Sequence, residues 1–166
     1  MRVMKFGGTS VGSAEALAAV RDIVGRQDGA RVVVVSAHSG VTDALLQIAR
    51  EAAAGSYSLA PIRRRHHDLL RRLGVDPALV DPLLAELEDL LQGLSLVGEL
   101  TPRSLDLVAS YGERMSARGI AAYLRTGGIA ADAVDAYDLG LRTDSRHTAA
   151  NPDRSCFATL RRRLLA

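Results

Sequence analysis

The chain begins with a short apolar stretch, Arg2 to Phe6, that reads as a strand and runs into Gly7-Gly8-Thr9-Ser10, a turn of small residues. Ser13 stands where a helix N-cap belongs. From Ala14 to Gly25 the residues Leu17, Val20, Ile23 and Val24 recur on one helical stripe. After a break at Gly29, Arg31 to Ser36 is a β-branched run of the kind found in strands buried on both faces. A second small-residue turn, Ala37-His38-Ser39-Gly40, leads into a helix over Thr42 to Ala54. The pattern thus reads strand, turn, helix twice over, which predicts a parallel sheet covered by helices.

The middle changes character. Ala60 to Leu73, Pro77 to Leu94 and Pro102 to Thr126 read as helices, interrupted at Gly74, Asp76-Pro77, Asp81-Pro82 and Thr101-Pro102. Leu83, Leu84, Leu87, Leu90 and Leu91 form one apolar stripe, and Thr101 before Pro102 is a favourable helix start. Gly127-Gly128 ends the last of these helices. Ile129 to Ala136 then alternates as a strand, Leu139 to Arg142 reads as a further short strand, and Arg154 to Leu165 as a final helix. The expected fold class is α/β, a three-layer α/β/α arrangement with a mainly parallel sheet and a helical insertion in the middle.

Composition narrows the class. With 166 residues, 48% of them hydrophobic and 24% charged, the chain suits one soluble globular domain. There is no Trp, so the core must come from Val, Leu, Ile and Ala. The net charge of +2 is small, although Arg63, Arg64, Arg65, His66, His67, Arg71 and Arg72 crowd one stretch. A nucleic-acid interface would interleave stacking aromatics with such cations, and only Tyr57 is close, so the run reads as solvated helix faces. The longest wholly apolar run, Val32 to Val35, is far from the ~20 residues of a membrane helix. The single Cys156 and the lack of a secretory segment point to a reducing, cytoplasmic setting.

Four segments carry candidate chemistry. Lys5 at a strand end, followed by Gly7, Gly8, Thr9 and Ser10, suits phosphate: glycines let amides approach oxygens, and Lys adds a point charge. The spacing G-G-x-x-x-G is neither common nucleotide signature, so a structural turn stays equally open. Ser39 and Thr42 sit at the same end of a neighbouring strand, where open α/β sheets bind ligands, or else they cap the following helix. His38 by itself reads as a surface residue, with no second group at metal-ligand spacing. In Ser110 to Ser116, Gly112 costs the helix about 1 kcal/mol relative to Ala, which implies close approach of a neighbour. Glu113 beside it suits an ammonium group or a nearby Arg. In Leu141 to His147, Arg142 offers a planar fork for a carboxylate.

Together the four segments resemble the aspartate kinases of the amino-acid kinase family. The matches are K-F-G-G-T-S-V at Lys5 to Val11, V-S-A-x-S-G-V-T-D at Val35 to Asp43, G-E-R-M-S at Gly112 to Ser116 and L-R-T-D at Leu141 to Asp144, in order and over essentially the whole chain. The resemblance implies phosphorylation of the L-aspartate β-carboxylate by ATP with Mg²⁺, the first step towards lysine, threonine and methionine. It makes Lys5 the residue against the phosphates and Gly7, Gly8, Thr9 and Ser10 the donors to phosphate oxygens. Ser39, Thr42 and Glu113 would hold aspartate, Arg142 would pair with its carboxylate, and Asp144 would orient Lys5. No residue is implied as a protein ligand to a metal. Family members continue into a second half-domain and regulatory domains, so residues 1–166 are expected to be the N-terminal, substrate-binding part of a kinase domain. A homo-oligomer is expected, with neither nucleic-acid nor membrane partners, and the apolar surface of a half-sheet is expected to drive self-association. The alternatives are a non-catalytic aspartate-binding or assembly module and another member of the same family.

Overall fold

The computed structural model describes residues 1–165. Strands β1 (Arg2–Phe6) and β2 (Arg31–Val35) lie parallel, in register from Arg2 opposite Arg31 to Phe6 opposite Val35. Helix α1 (Ala14–Gly25) makes the crossover and is entered through a single 3₁₀ turn at Gly8–Val11. Ser13 caps α1 as its spacing predicted, its hydroxyl accepting the Ala16 N–H at 3.2 Å. Helix α2 (Val41–Ala53) follows β2, and α3 (Ala60–Arg72), α4 (Asp81–Val97) and α5 (Pro102–Thr126) form the helical middle. Thr101 caps α5 at the Ser104 N–H, and Pro102 occupies its first turn.

The core is aliphatic, as the composition required. Leu45 and Ile48 of α2, Leu84, Leu87 and Leu91 of α4, and Val108 and Met115 of α5 are buried in one cluster. Met4, Phe6, Val33 and Val35 pack against it from one face of the sheet. The opposite face carries Lys5 and leaves Val3 60% and Val34 44% exposed. The described residues therefore supply the sheet and one helical layer.

Several expectations need correction. The helix expected over Pro77 to Leu94 divides into a 3₁₀ turn at Pro77–Val80 and α4, which starts only at Asp81 and ends at Gly98 with φ 70°. Ile23 is 46% exposed and does not share the buried stripe of Leu17, Val20 and Val24. No strand forms over Ile129 to Ala136. The segment keeps the alternation of one, with Ile129, Ala131 and Ala133 turned partly inward, but it makes no ladder with β2. A groove of about 380 Å³ separates the two. The segment is held from the helix side instead, by the Ile129 N–H to Leu124 O at 3.1 Å and by Arg125 to Ala131 O at 2.6 Å. Leu139 to Arg142 is likewise not a strand: the N–H groups of Leu139 and Leu141 turn back to the carbonyls of Asp135 and Ala136. The expected last helix is a 3₁₀ turn, Arg154–Cys156, followed by α6 (Phe157–Leu165). No described helix is long and apolar enough to cross a membrane.

The Arg-rich stretch is largely spoken for within the fold. Arg63 and His67 meet Asp81, Arg71 meets Asp68, Arg72 meets Glu15 of α1, and Arg65 donates to the carbonyl of Ser39. These contacts tie α3 to α1, to the start of α4 and to the second turn.

Candidate functional site

Both small-residue turns leave the same end of the sheet, because β1 and β2 are parallel. They press against each other. A Cβ on Gly8 would lie 3.1 Å from the Ala37 carbonyl oxygen, and one on Gly12 would lie 3.0 Å from the Ser39 Cβ. Gly7, by contrast, faces open space. The two glycines of the first turn therefore differ: Gly8 permits the turns to pack, and a side chain at Gly7 would meet no neighbour. Gly12, not singled out as a site residue from sequence, is a third requirement of this packing. Thr9 and Ser10 are exposed beside it, and Lys5 is exposed on β1 with no ion pair among the described residues.

The second turn answers the question left open about Ser39 and Thr42. Neither caps α2. The cap is Gly40, with φ 73°, and it has no side-chain hydrogen bond. That left-handed backbone suits glycine, and it leaves both hydroxyls unspent on capping. Ser39 is exposed and Thr42 half-buried.

Helix α5 supplies the third wall. Gly112 is buried because α5 passes directly under the second turn; a Cβ there would lie 2.8 Å from the Ala37 Cβ and 3.1 Å from the Leu45 Cδ1. Glu113, one residue on, is exposed, and its Oε1 accepts the Ala37 N–H at 3.4 Å. Replacing Gly112 with Ala sets two effects against each other. Helix propensity gains about 1 kcal/mol. The clash involves a Cβ fixed to backbone and costs about 1–3 kcal/mol. The expected result is a net loss of about 1 kcal/mol in urea unfolding; a raised midpoint would show that the second turn yields freely.

Sequence reasoning missed two features. The first is His38, which is not on the surface. It is 4% exposed, and its Nδ1 lies 2.6 Å from the Val11 carbonyl oxygen, joining the second turn to the first. Burial lowers its pKa from 6.5 to about 4. His66 of α3, 2% exposed, lies against it with ring centroids 5.6 Å apart and is likewise pushed down by burial. The second is the clamp behind Glu113. Asp135 accepts from Arg118 at 2.8 and 3.0 Å, from Arg114 at 3.2 Å and from the Tyr137 hydroxyl at 2.8 Å. Hydrogen bonds from Arg118, first among its neighbours, hold the carboxyl at about 2. Arg114 also bonds Glu86 at 3.2 Å and lies over the Tyr111 ring, which fixes the turn of α5 that carries Glu113. The spacing of Arg114 and Arg118 on one helical face was the available signal.

Arg142 and Asp144 stand apart from this convergence. No hydrogen bond or ion pair joins either to Lys5, Ser39, Thr42 or Glu113 among the described residues. Asp144 is engaged within its own loop, accepting from Arg146 at 3.0 Å and from the Asn151 N–H at 3.1 Å. The loop is tied to the start of α5 by Asp106, which accepts from His147 at 3.1 Å and from the Thr148 N–H at 3.0 Å. Arg142 is exposed beside the buried Cys156. No group of three or more His, Cys, Asp or Glu side chains converges as a metal-binding set among the described residues.

Two glycine-bearing turns at the carboxyl ends of parallel strands, backed by a helical glutamate, can bind an anion beside an ammonium group. Comparison with known proteins gives this arrangement a lineage. A model of the amino acid kinase family matches residues 1–164. The chain belongs to that family. It is 35% identical over 170 residues to Aspartokinase 1, chloroplastic, of Arabidopsis thaliana, and 32% identical over 165 residues to Lysine-sensitive aspartokinase 3 of Escherichia coli. These alignments cover 98% and 95% of this chain but 30% and 36% of those relatives, so the chain spans about a third of their length. The structure superimposes on that of E. coli aspartokinase III in complex with aspartate and ADP with a TM-score of 0.83 and 30% identity, covering 96% of this chain and 36% of that one. The α/β class, the parallel sheet and the resemblance drawn from the four motifs all stand.

Proposed function

We propose that this chain carries the aspartate-binding and phosphate-facing part of an aspartate kinase, using L-aspartate and MgATP. The observation that supports this best is the three-way junction of the Gly7–Gly12 turn, the Ala37–Thr42 turn and Glu113, closed by the Gly8 contact with Ala37 and the Ala37 N–H on Glu113. In this reading Glu113, with a second oxygen to spare, takes the substrate ammonium, and Ser39 and Thr42 take its carboxylate. The open backbone at Gly7, with Gly8, Thr9 and Ser10, faces the phosphates, and Lys5 neutralises charge there. In the same reading Arg142 pairs with a substrate carboxylate and Asp144 orients Lys5, which requires their loop to move towards the two turns. Mg²⁺ arrives on the nucleotide phosphates as part of the substrate.

The chemistry asks little covalent work of the protein. A β-carboxylate oxygen attacks the γ-phosphorus, the bond to the β,γ-bridging oxygen breaks, and 4-phospho-L-aspartate and ADP result. The carboxylate is already ionised at neutral pH, so no general base is required. The burden is to bring two anions together and offset their repulsion, which suits Lys5, backbone amides and hydroxyls. A homo-oligomer belongs to the same proposal. The exposed Val3 and Val34 support it, and sedimentation should show association rising with concentration; a monomer throughout would remove that part. A reducing, cytoplasmic setting rests on the single Cys156.

The test is calorimetric titration of L-aspartate into the chain, with and without MgATP, beside Glu113→Ala. Saturable binding that weakens at least about tenfold in the variant is expected. No binding under either condition would sink aspartate recognition by this chain. Binding without ADP release would favour the second reading, an aspartate-binding module, which the placement of Asp144 away from Lys5 supports.

A further inference from the structure

The first and second turns form the mouth of the candidate site, and their spacing must be held to a fraction of an ångström for two sets of donors to meet one ligand. Packing of Gly8 and Gly12 on Ala37 and Ser39 limits how near they come. A single hydrogen bond limits how far they separate. Among the described residues, the only hydrogen bond between Gly7–Gly12 and Ala37–Thr42 is that from the His38 ring to the Val11 carbonyl, 2.6 Å long and buried.

The proton on that ring is assigned by its partner. A carbonyl oxygen only accepts, so Nδ1 of His38 must carry the hydrogen, and Nε2 of the neutral ring is left with a lone pair. His66 obeys the same logic: its Nδ1 faces the Ile62 carbonyl at 2.9 Å, so its Nε2 is bare, and that atom is buried without a partner among the described residues. An unpartnered buried nitrogen costs free energy that a purely apolar side chain would avoid. Leucine would fill the same space. What the imidazole adds at His66 is a flat, rigid face against His38, tilted by 51°. Beside it on α3, Arg65 donates to the Ser39 carbonyl, so two consecutive residues of α3 support the second turn from behind.

We propose that His38 is a positioning residue for the site: its Nδ1–H, anchored on the Val11 carbonyl and backed by His66, sets the gap between the glycine turn and the serine–threonine turn. The link to ligand rests on the function proposed above; the link between the turns does not. Asparagine at position 38 places an amide N–H close to where the ring carries Nδ1–H, whereas leucine retains bulk and removes the donor. These two substitutions separate positioning from packing.

The experiment measures amide hydrogen exchange at Gly8 to Gly12 and Ser39 to Thr42 in the full chain and in His38→Asn and His38→Leu. Nitrogen-15 spectra of the two rings at neutral pH accompany it. Both rings should show the Nδ1–H tautomer. Leucine should speed exchange in the two turns about tenfold, the worth of one net hydrogen bond, while the cores of α4 and α5 change far less. Asparagine should return the turns to near the original rates. L-Aspartate affinity should follow the same order. The proposal is overturned if the Nε2–H tautomer is found at His38, if the turns exchange alike in all three proteins, or if leucine speeds α4 and α5 as much as the turns. If the exchange pattern holds while no protein binds aspartate, the positioning role stands and the functional reading falls.

Discussion

Acidification from pH 7 to pH 4 is expected to cost the fold about 3 kcal/mol through His38 alone. Its pKa is lowered from 6.5 to about 4 in the folded chain, so the unfolded chain binds a proton that the folded chain refuses throughout that interval. The stabilisation is complete above pH 6.5 and is lost as the pH falls to 4. The cause is the burial of a ring whose charged form would face Arg65 and His66 of α3 and lose water on every side. His66, lowered by burial and by Arg65 and His67, acts with the same sign. Urea unfolding at several pH values checks this. The His38→Asn variant should reduce the slope between pH 6.5 and 4, and an unchanged slope would show that His38 titrates as if exposed.

Replacing Asp135 with Ala should destabilise the chain by about 3 kcal/mol, near the lower end for breaking a buried ion pair because Arg118 keeps some exposure. Asp135 is 7% exposed, and its carboxylate receives four donor contacts from Arg114, Arg118 and Tyr137. Its loss leaves Arg114 with Glu86 and the Tyr111 ring and removes the tie of Arg114 and Arg118 to the end of the segment at Ile129 to Asp135, which then keeps only the Ile129 and Arg125 hydrogen bonds. The pH signature separates it from the histidines. With a pKa held near 2 against an ordinary 3.8, Asp135 contributes fully above pH 3.8 and is lost only as the pH falls towards 2. Asp135→Asn keeps shape and one acceptor and should cost less. A loss under about 1 kcal/mol in the alanine variant would show that solvent screens the cluster.

Both effects come from residues that the linear pattern could not weigh. His38 sits in a turn between a strand and a helix, where a polar side chain ordinarily faces water. It is buried because α3, more than twenty residues further on, closes over it with Arg65 and His66. Asp135 lies in an alternating segment that has every local mark of a strand. A strand, however, exists only where a neighbour completes its hydrogen bonds, and here the segment is drawn to α5 by Arg114 and Arg118 instead of to β2.

What the sequence determined by itself was whatever short-range physics decides. Ser13 and Thr101 cap their helices because a hydroxyl reaches an N–H three residues on, and Gly127 ends α5 where expected. The two strand-turn-helix units, the leucine stripe of α4 and the four motifs were legible for the same reason, each being a pattern within a few residues. Gly112 was flagged by its helix cost, although not the neighbour that required it. Only the tertiary structure decided that Gly8 and Gly12 serve contact between turns while Gly7 stays open, that Ser39 and Thr42 keep their hydroxyls free, and that Arg142 and Asp144 stand apart from Lys5. Those outcomes depend on which distant surfaces meet, and a separation of 27 residues, as between Val11 and His38, leaves no local trace in the order of side chains.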